Sequence, residues 1–434
     1  MASLTFKARL IPLGITRRTV LLDLPTLHFP RSFTIDLMHC ILINIVPTLW
    51  DIWTAEHFKN DDTKNASDDN YLFSKKEQDI FEEMLQESRG NIPAAIGTMP
   101  RSFRWRHRWK AVEWRMLLEH FGTSLTNGHL PEKAHRNFCD LRQIWVSAIQ
   151  YSMNANDIAV LDQTARKFIK GYEQLYYHDD PERMTCCKIN NHMLLHIASG
   201  IQDNGPARLW WSFPVERFCF EARDMATSKS QITTSVNNGL LRRQQLALLS
   251  LTHRLGNSRE DELSRSPVLK NPVKVSRNYE QLPLRPHLRR HLAQKLGVEE
   301  SQLGLTYFSR CRPPAGDTIG SIASQQDTNI NRNDCFVCFR RDGQQCRFGT
   351  VYGFVRDEPS QCQFAILKRW TGIRKNLRTE EIRYENTDGA WCLIDPCDIQ
   401  CLVGTLQEKD RGHAGWRTNM IIGAIEPVKR YGAE

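Results

Sequence analysis

Near residue 334 the hydrophobic pattern of this chain changes period, and that change limits the folds open to it. Upstream, apolar residues recur at helical spacing. Met38, Ile41, Leu42, Ile45, Leu49 and Trp53 line one predicted helical face, and Ile158, Leu161, Ala165, Phe168, Tyr172 and Leu175 line another. Downstream, CFVCFRR, FGTVYGFV, CQFAILKRW, WCLIDPCDIQCLVGTL and MIIGAIEPV are short, apolar or alternating, and separated by DG, RDEPS and KDRGH turns. Such runs predict strands. We therefore expect an α+β chain in three parts. Residues 1–253 form a mainly α-helical N-terminal region, and 254–333 a linker with a short basic helix at Pro286 to Leu296. Residues 334–434 form a small C-terminal antiparallel β domain, a barrel or sandwich of about five or six strands.

Further helices are expected over 74–89, 137–152, 157–177 and 240–253, the first with Ile80, Phe81, Met84 and Leu85 on its apolar side. Residues 1–30 read as irregular, broken by Pro12, Pro25 and Pro30, and KNDDTKNASDDN as a solvated loop. The longest apolar run, Leu37 to Trp50, is too short to span a bilayer and contains His39, Asn44 and Pro47, so no membrane partner is expected. Thirteen cysteines, with no secretory signal over Met1 to Pro12, suit a reducing compartment. Cys335 and Cys338 form a C-x-x-C, but on a strand residues three apart face opposite sides, which favours free thiols over a zinc site.

A net charge of +9 fits a polyanionic partner without requiring one. The most basic stretch is PRSFRWRHRWKAVEWR, where Arg101, Arg104, Arg106, Arg108, Lys110 and Arg115 interleave with Trp105, Trp109 and Trp114. Guanidinium groups pair with phosphates and aromatic faces stack on bases, so the six cations are candidate nucleic-acid contacts. The same sequence would arise if the tryptophans were core and the arginines only covered them, and Trp105 with Trp109 at i, i+4 fits that reading.

One further stretch carries chemistry. His192 and His196, four apart, share one helical face, and Glu216 falls in the first turn of a helix opened by Ser212 and Pro214. Two imidazoles supply half of a tetrahedral zinc site, or they are buried hydrogen-bonded histidines among Met193, Leu194, Leu195 and Ile197. Glu216 is a candidate metal-binding acid or a carboxylate favoured by the helix dipole. Asp36 reads as an N-capping or dipole carboxylate, and His39 as a core-facing histidine.

WSFPVERF after HMLLH, with FPRSFTIDLMH near the start, resembles the C-terminal part of the catalytic region of CACTA-type DNA transposases, especially fungal ones. The resemblance covers most of residues 16–250 and, more weakly, 334–405. It implies that Glu216 is the last acid of a DDE triad and that His192 and His196 are the histidine half of a zinc site completed by a C-x-x-C. It implies an RNase H-like origin, with the helices between Asp36 and His192 as an insertion, and a nuclear location. The family's first two acids and its C-x-x-C lie upstream of the FPRSFTIDLMH counterpart, and Asp36 matches neither acid. DDE chemistry needs three carboxylates around two divalent metals, and here only Glu216 has a counterpart. The expectation is a transposase-derived, DNA-binding protein that is catalytically inactive and needs no cofactor. Its partners would be DNA and possibly a full-length transposase. The alternatives are an active DDE subunit completed by another chain or by further N-terminal sequence, with Mg or Mn and Zn bound, and a remnant without selected function.

Overall fold

The computed structural model of the chain describes residues 19–57, 71–93, 96–253, 273–274, 284–311, 318–322, 334–340, 345–375, 382–385, 387, 389–409 and 417–422. The polar insert, the stretch before residue 19 and the QQDTNINRN break lie outside the described residues. Helices before residue 254 and antiparallel sheets toward the C-terminus make the chain α+β, as expected. Two compact units form, each from two chain segments. One is Met1–Thr48 with Arg136–Glu216, the other Leu49–His135 with Arg217–Glu434.

The first unit is helical. Its Ala155–Tyr172 helix starts at a capping box, in which Asn154 accepts from the Asp157 N–H while the Asp157 carboxylate accepts from the Asn154 N–H. Leu161, Ala165, Phe168 and Tyr172 are the buried stripe, matching the sequence spacing. Phe138, Leu141, Ile144 and Trp145, from the Glu132–Ala148 helix, are also buried. Asn137 Nδ2 donates to the Phe168 carbonyl at 2.8 Å, and a Cβ at Gly171 would stand 2.8 Å from that same nitrogen. Glycine there lets the helix backbone approach the amide. Met38, Ile41, Leu42 and Ile45, all buried, lie on a π-helical stretch, Met38–Ile45, that runs into the Val46–Trp53 helix.

The second unit has an aromatic core and two sheets. Trp50 stacks on Phe103 with ring centroids 4.7 Å apart, and Phe73 meets Phe81 edge-on at 4.8 Å. Phe81, Met84 and Leu85 come from the Lys75–Ser88 helix, which opens on a Ser74–Glu77 capping box.

The strands are β1 (Val273–Lys274), β2 (Leu305–Arg310), β3 (Phe336–Phe339), β4 (Arg347–Asp357), β5 (Gln363–Arg369), β6 (Arg374–Lys375), β7 (Ile382–Tyr384), β8 (Trp391–Ile394), β9 (Ile399–Leu402), β10 (Gly404–Lys409) and β11 (Arg417–Ile422). All pairings among them are antiparallel. The larger sheet is built on β4, whose two halves pair with β3 and β2 while β5 runs along its other edge and β8 follows β5. The smaller runs β10-β11-β7-β6. This exceeds the expected barrel of about five or six strands. Strands of two or three residues, such as β6 and β7, are too short to show a period, and β2 lies in the stretch read as linker. A Cβ at Gly349 would meet the Lys368 carbonyl at 2.8 Å, so glycine permits the close β4–β5 approach there.

The Pro286–Leu296 helix forms as predicted. Proline stands in its first turn, and Gly297, at φ 69°, closes it in the left-handed region. Its Leu288 and Leu292 pack with Val355, Phe364, Ile366 and Leu393 from the larger sheet. Each buried leucine contributes about 2 kcal/mol. Cys335 and Cys338 belong to different core clusters, as the strand period requires, and Cys338 sits opposite Cys401 across β3 and β9.

Candidate functional site

Glu216 lies in the first turn of the Phe213–Asp224 helix, as the Ser212-x-Pro214 start predicts, and its side chain is more than half exposed. Its Oε1 lies 3.6 Å from the Nε2 of His39. His39 is held from behind by Asp36. The Asp36 Oδ2 contacts His39 Nδ1 and accepts the His39 backbone N–H at 3.2 Å, and Oδ1 accepts the Met38 N–H at 3.3 Å. Asp36 therefore caps the incoming helical stretch, the local role its sequence position suggests. It also does something the sequence does not reveal. Oδ1 accepts the Ser212 N–H at 2.8 Å and so ties the start of the Glu216 helix to the start of the Met38 helix.

These hydrogen bonds fix the electrostatics. Burial pushes the Asp36 carboxyl up, but the Ser212 N–H and the contacts to His39 outweigh it and hold Asp36 below the usual carboxylate range. An ionised Asp36 fixes the imidazole orientation and leaves Nε2 turned to Glu216. His39 is half exposed rather than core-facing. Sequence reading missed it as a site residue, although Asp36-x-x-His39 at a helix start was the available signal.

His192 and His196 are exposed, which corrects the reading of them as buried. The Ile189–Met193 helix, which carries His192 and runs into the Leu194–His196 3-10 turn, packs beside the Met38–Ile45 stretch, with Cys40 Sγ donating to the Asn190 carbonyl at 3.3 Å. The two Nε2 atoms are 3.1 Å apart, with the rings edge to face. Two imidazole ligands of a tetrahedral zinc stand about 3.3 Å apart, given Zn–N bonds of about 2.05 Å. The pair therefore fits half of such a site. Among the described residues no three His, Cys, Asp or Glu side chains come together to hold a metal, so the other half does not come from them.

The basic stretch divides in two. Arg101 and Arg115 are committed to Glu113 and Glu119, each at 2.7 Å, and Arg106 to Asp51 and Glu56. Trp109 and Trp114 are buried 4.8 Å apart, as the covering alternative predicts. Trp105 is not: it is 51% exposed. The Phe103–Arg108 turn is 3-10 rather than α, so residues i and i+4 do not share a face and Trp105 turns outward. Arg108 stacks on Trp105 at 5.1 Å. Arg104, Arg108 and Lys110 are exposed and pair with no carboxylate among the described residues.

No helix of the described residues is long and apolar enough to cross a membrane. Compared with protein-family models, curated proteins and solved structures, the chain matches none of them.

Proposed function

We propose that this chain is a DNA-binding protein derived from a CACTA-type transposase and that these residues alone do not cut DNA. The observation that carries the reading is the Phe103–Arg108 turn with Lys110. Among the described residues Arg104, Arg108 and Lys110 pair with no carboxylate and stand around an exposed tryptophan, the combination that takes a phosphate backbone. Arg101 and Arg106 brace the turn, and Arg115 is held by Glu119 in the helical segment that follows, so these three are not ligand contacts. The helices between Asp36 and His192 correspond, in this reading, to the insertion of an RNase H-like transposase, and the protein acts in the nucleus, alone or beside a full-length transposase. Purified protein should retain duplex DNA at low salt, and Arg104→Ala/Arg108→Ala/Lys110→Ala should lose that retention. Retention equal to the parent's would refute the reading.

Glu216 favours a second reading. It is open to solvent, and its neighbour Asp36 already spends its oxygens on backbone N–H groups and His39. If another chain supplied two carboxylates, Glu216 could complete a two-metal site with Mg²⁺ or Mn²⁺, and His192 with His196 could complete a zinc site. This reading requires metal-dependent nicking that Glu216→Gln abolishes. Nicking that survives the substitution would remove it.

A further inference from the structure

In the second unit the Pro286–Leu296 helix does not close fully over the larger sheet. Two cavities of about 310 and 350 Å³ remain beside it, and Leu288 and Trp391 line both, so they form one trough. The two ends of the trough differ in chemistry. One is aromatic: Tyr352 and Trp391 pack against each other at a 55° tilt with centroids 4.5 Å apart, and Tyr307 completes the wall. The β4–β5 register slips between Val351 and Gly353, at Tyr352, and Lys368 pairs across β5 and β8 with Trp391. The other end is cationic. Arg340, Arg347 and Arg369 line it with His287 and His291. These three arginines are exposed, and among the described residues they pair with no carboxylate and no carboxylate lines either cavity.

We propose that this trough binds single-stranded DNA, with a base stacked against Tyr352 and Trp391 and the flanking phosphates on Arg340, Arg347 and Arg369. Flat aromatic faces next to unpaired guanidinium groups are what base and phosphodiester together require. Arg285 and Lys368 already lie 4.8 and 5.2 Å from the Trp391 ring centroid, so a ligand cation is disfavoured there and a polyanion favoured. A duplex keeps its bases stacked inside and presents no free face to such a trough, whereas a single strand does. An acidic peptide would satisfy the arginines but leave the aromatic end unused. The choice of DNA over RNA rests on the function proposed above; the trough and its preference for a single strand do not.

The test uses the full chain and a labelled oligo(dT) of about 20 nucleotides, long enough for one aromatic–basic groove. Fluorescence anisotropy should give at least a tenfold weaker Kd, roughly, for Arg340→Ala/Arg347→Ala/Arg369→Ala. The salt slope should fall by about 2, at about 0.7 per phosphate contact on a single strand. Tyr352→Leu keeps an apolar side chain and removes stacking, and it should weaken binding without changing that slope. Unchanged oligo(dT) binding in variants that melt as the parent does would overturn the proposal. So would tighter binding of a same-length duplex at these residues, or displacement by polyglutamate as effective as by unlabelled oligo(dT). Tighter binding of oligo(rU) would overturn the choice of DNA. Arg104→Ala/Arg108→Ala/Lys110→Ala, run in parallel on duplex, reports on the basic turn alone, so either site can fail without the other.

Discussion

His39 Nε2 and Glu216 Oε1 lie 3.6 Å apart, although the two residues come from opposite ends of the first compact unit's sequence. Asp36 makes the meeting possible, because one carboxylate caps the Met38 helical stretch and receives the Ser212 N–H at the head of the Glu216 helix. The residue that looks like a metal-binding acid is thus positioned by a capping aspartate and an imidazole.

Asp36 should make stability depend on pH. Its folded pKa is depressed, so its contribution is complete above the unfolded carboxylate value near ~3.9 and is lost as pH falls through the lower folded value. Asp36→Asn should cost about 1.5–3 kcal/mol at neutral pH, the worth of hydrogen bonds to a charged group. Urea denaturation should show the gap to the parent closing in acid. A gap independent of pH would mean that the charge is not what holds the two helix starts together.

Glu113 is the brace of the basic turn. It is 4% exposed, and its two oxygens accept from the Arg101 guanidinium and from the backbone N–H groups of Arg101 and Lys110. Burial raises its pKa, but these partners more than offset that and hold it below the ordinary glutamate range. Glu113→Ala takes one acceptor from the half-exposed Arg101 guanidinium, which keeps the Arg108 carbonyl, and leaves two N–H groups without theirs, and should cost about 1–3 kcal/mol. Chemical denaturation of the second unit measures this. A loss below about 0.5 kcal/mol, within the range of an ordinary surface change, would contradict it.

How far the sequence reached depends on the distance over which each feature is encoded. The Lys75–Ser88 and Ala155–Tyr172 helices are written in adjacent residues, as capping boxes and apolar stripes, and both form where the pattern places them. Glu216 in a first turn and the shared face of His192 and His196 follow from the same local rules. The His39–Glu216 contact is not local, and no period within either segment encodes it. Trp105 departs from the helical i, i+4 spacing because its segment folds as a 3-10 turn. Strand β2 was hidden in a stretch whose average composition reads as linker, although the burial of Phe308 gives it a core role.

The histidine pair should bind a borderline metal weakly. With Nε2 atoms 3.1 Å apart it can offer two ligands to one Zn²⁺ or Co²⁺, and solvent must supply the rest. Calorimetric titration of Zn²⁺ should detect a site that His196→Ala weakens by at least about tenfold. Zinc binding equal in the variant and the parent would place the metal elsewhere.

The thiols should fall into two classes. Burial pushes Cys40, Cys186, Cys311 and Cys335 up to about 12, so they carry almost no thiolate at pH 8. Cys219, Cys346, Cys362 and Cys397 are exposed, although partial burial of its thiol pushes Cys397 up to about 11. Mass-resolved alkylation of native protein should modify Cys219, Cys346 and Cys362 first and spare Cys40, Cys186, Cys311 and Cys335 until denaturant is added. Early modification of Cys335 would show that the core around β3 is open.

The central claim is that Arg104, Arg108 and Lys110 hold DNA through its phosphates. The direct measurement is duplex affinity against salt concentration for the parent and for Arg104→Ala/Arg108→Ala/Lys110→Ala. Three phosphate contacts at about 0.9 each predict that log K loses a slope of about 2.7 in the variant. Parallel lines of equal affinity would contradict the account.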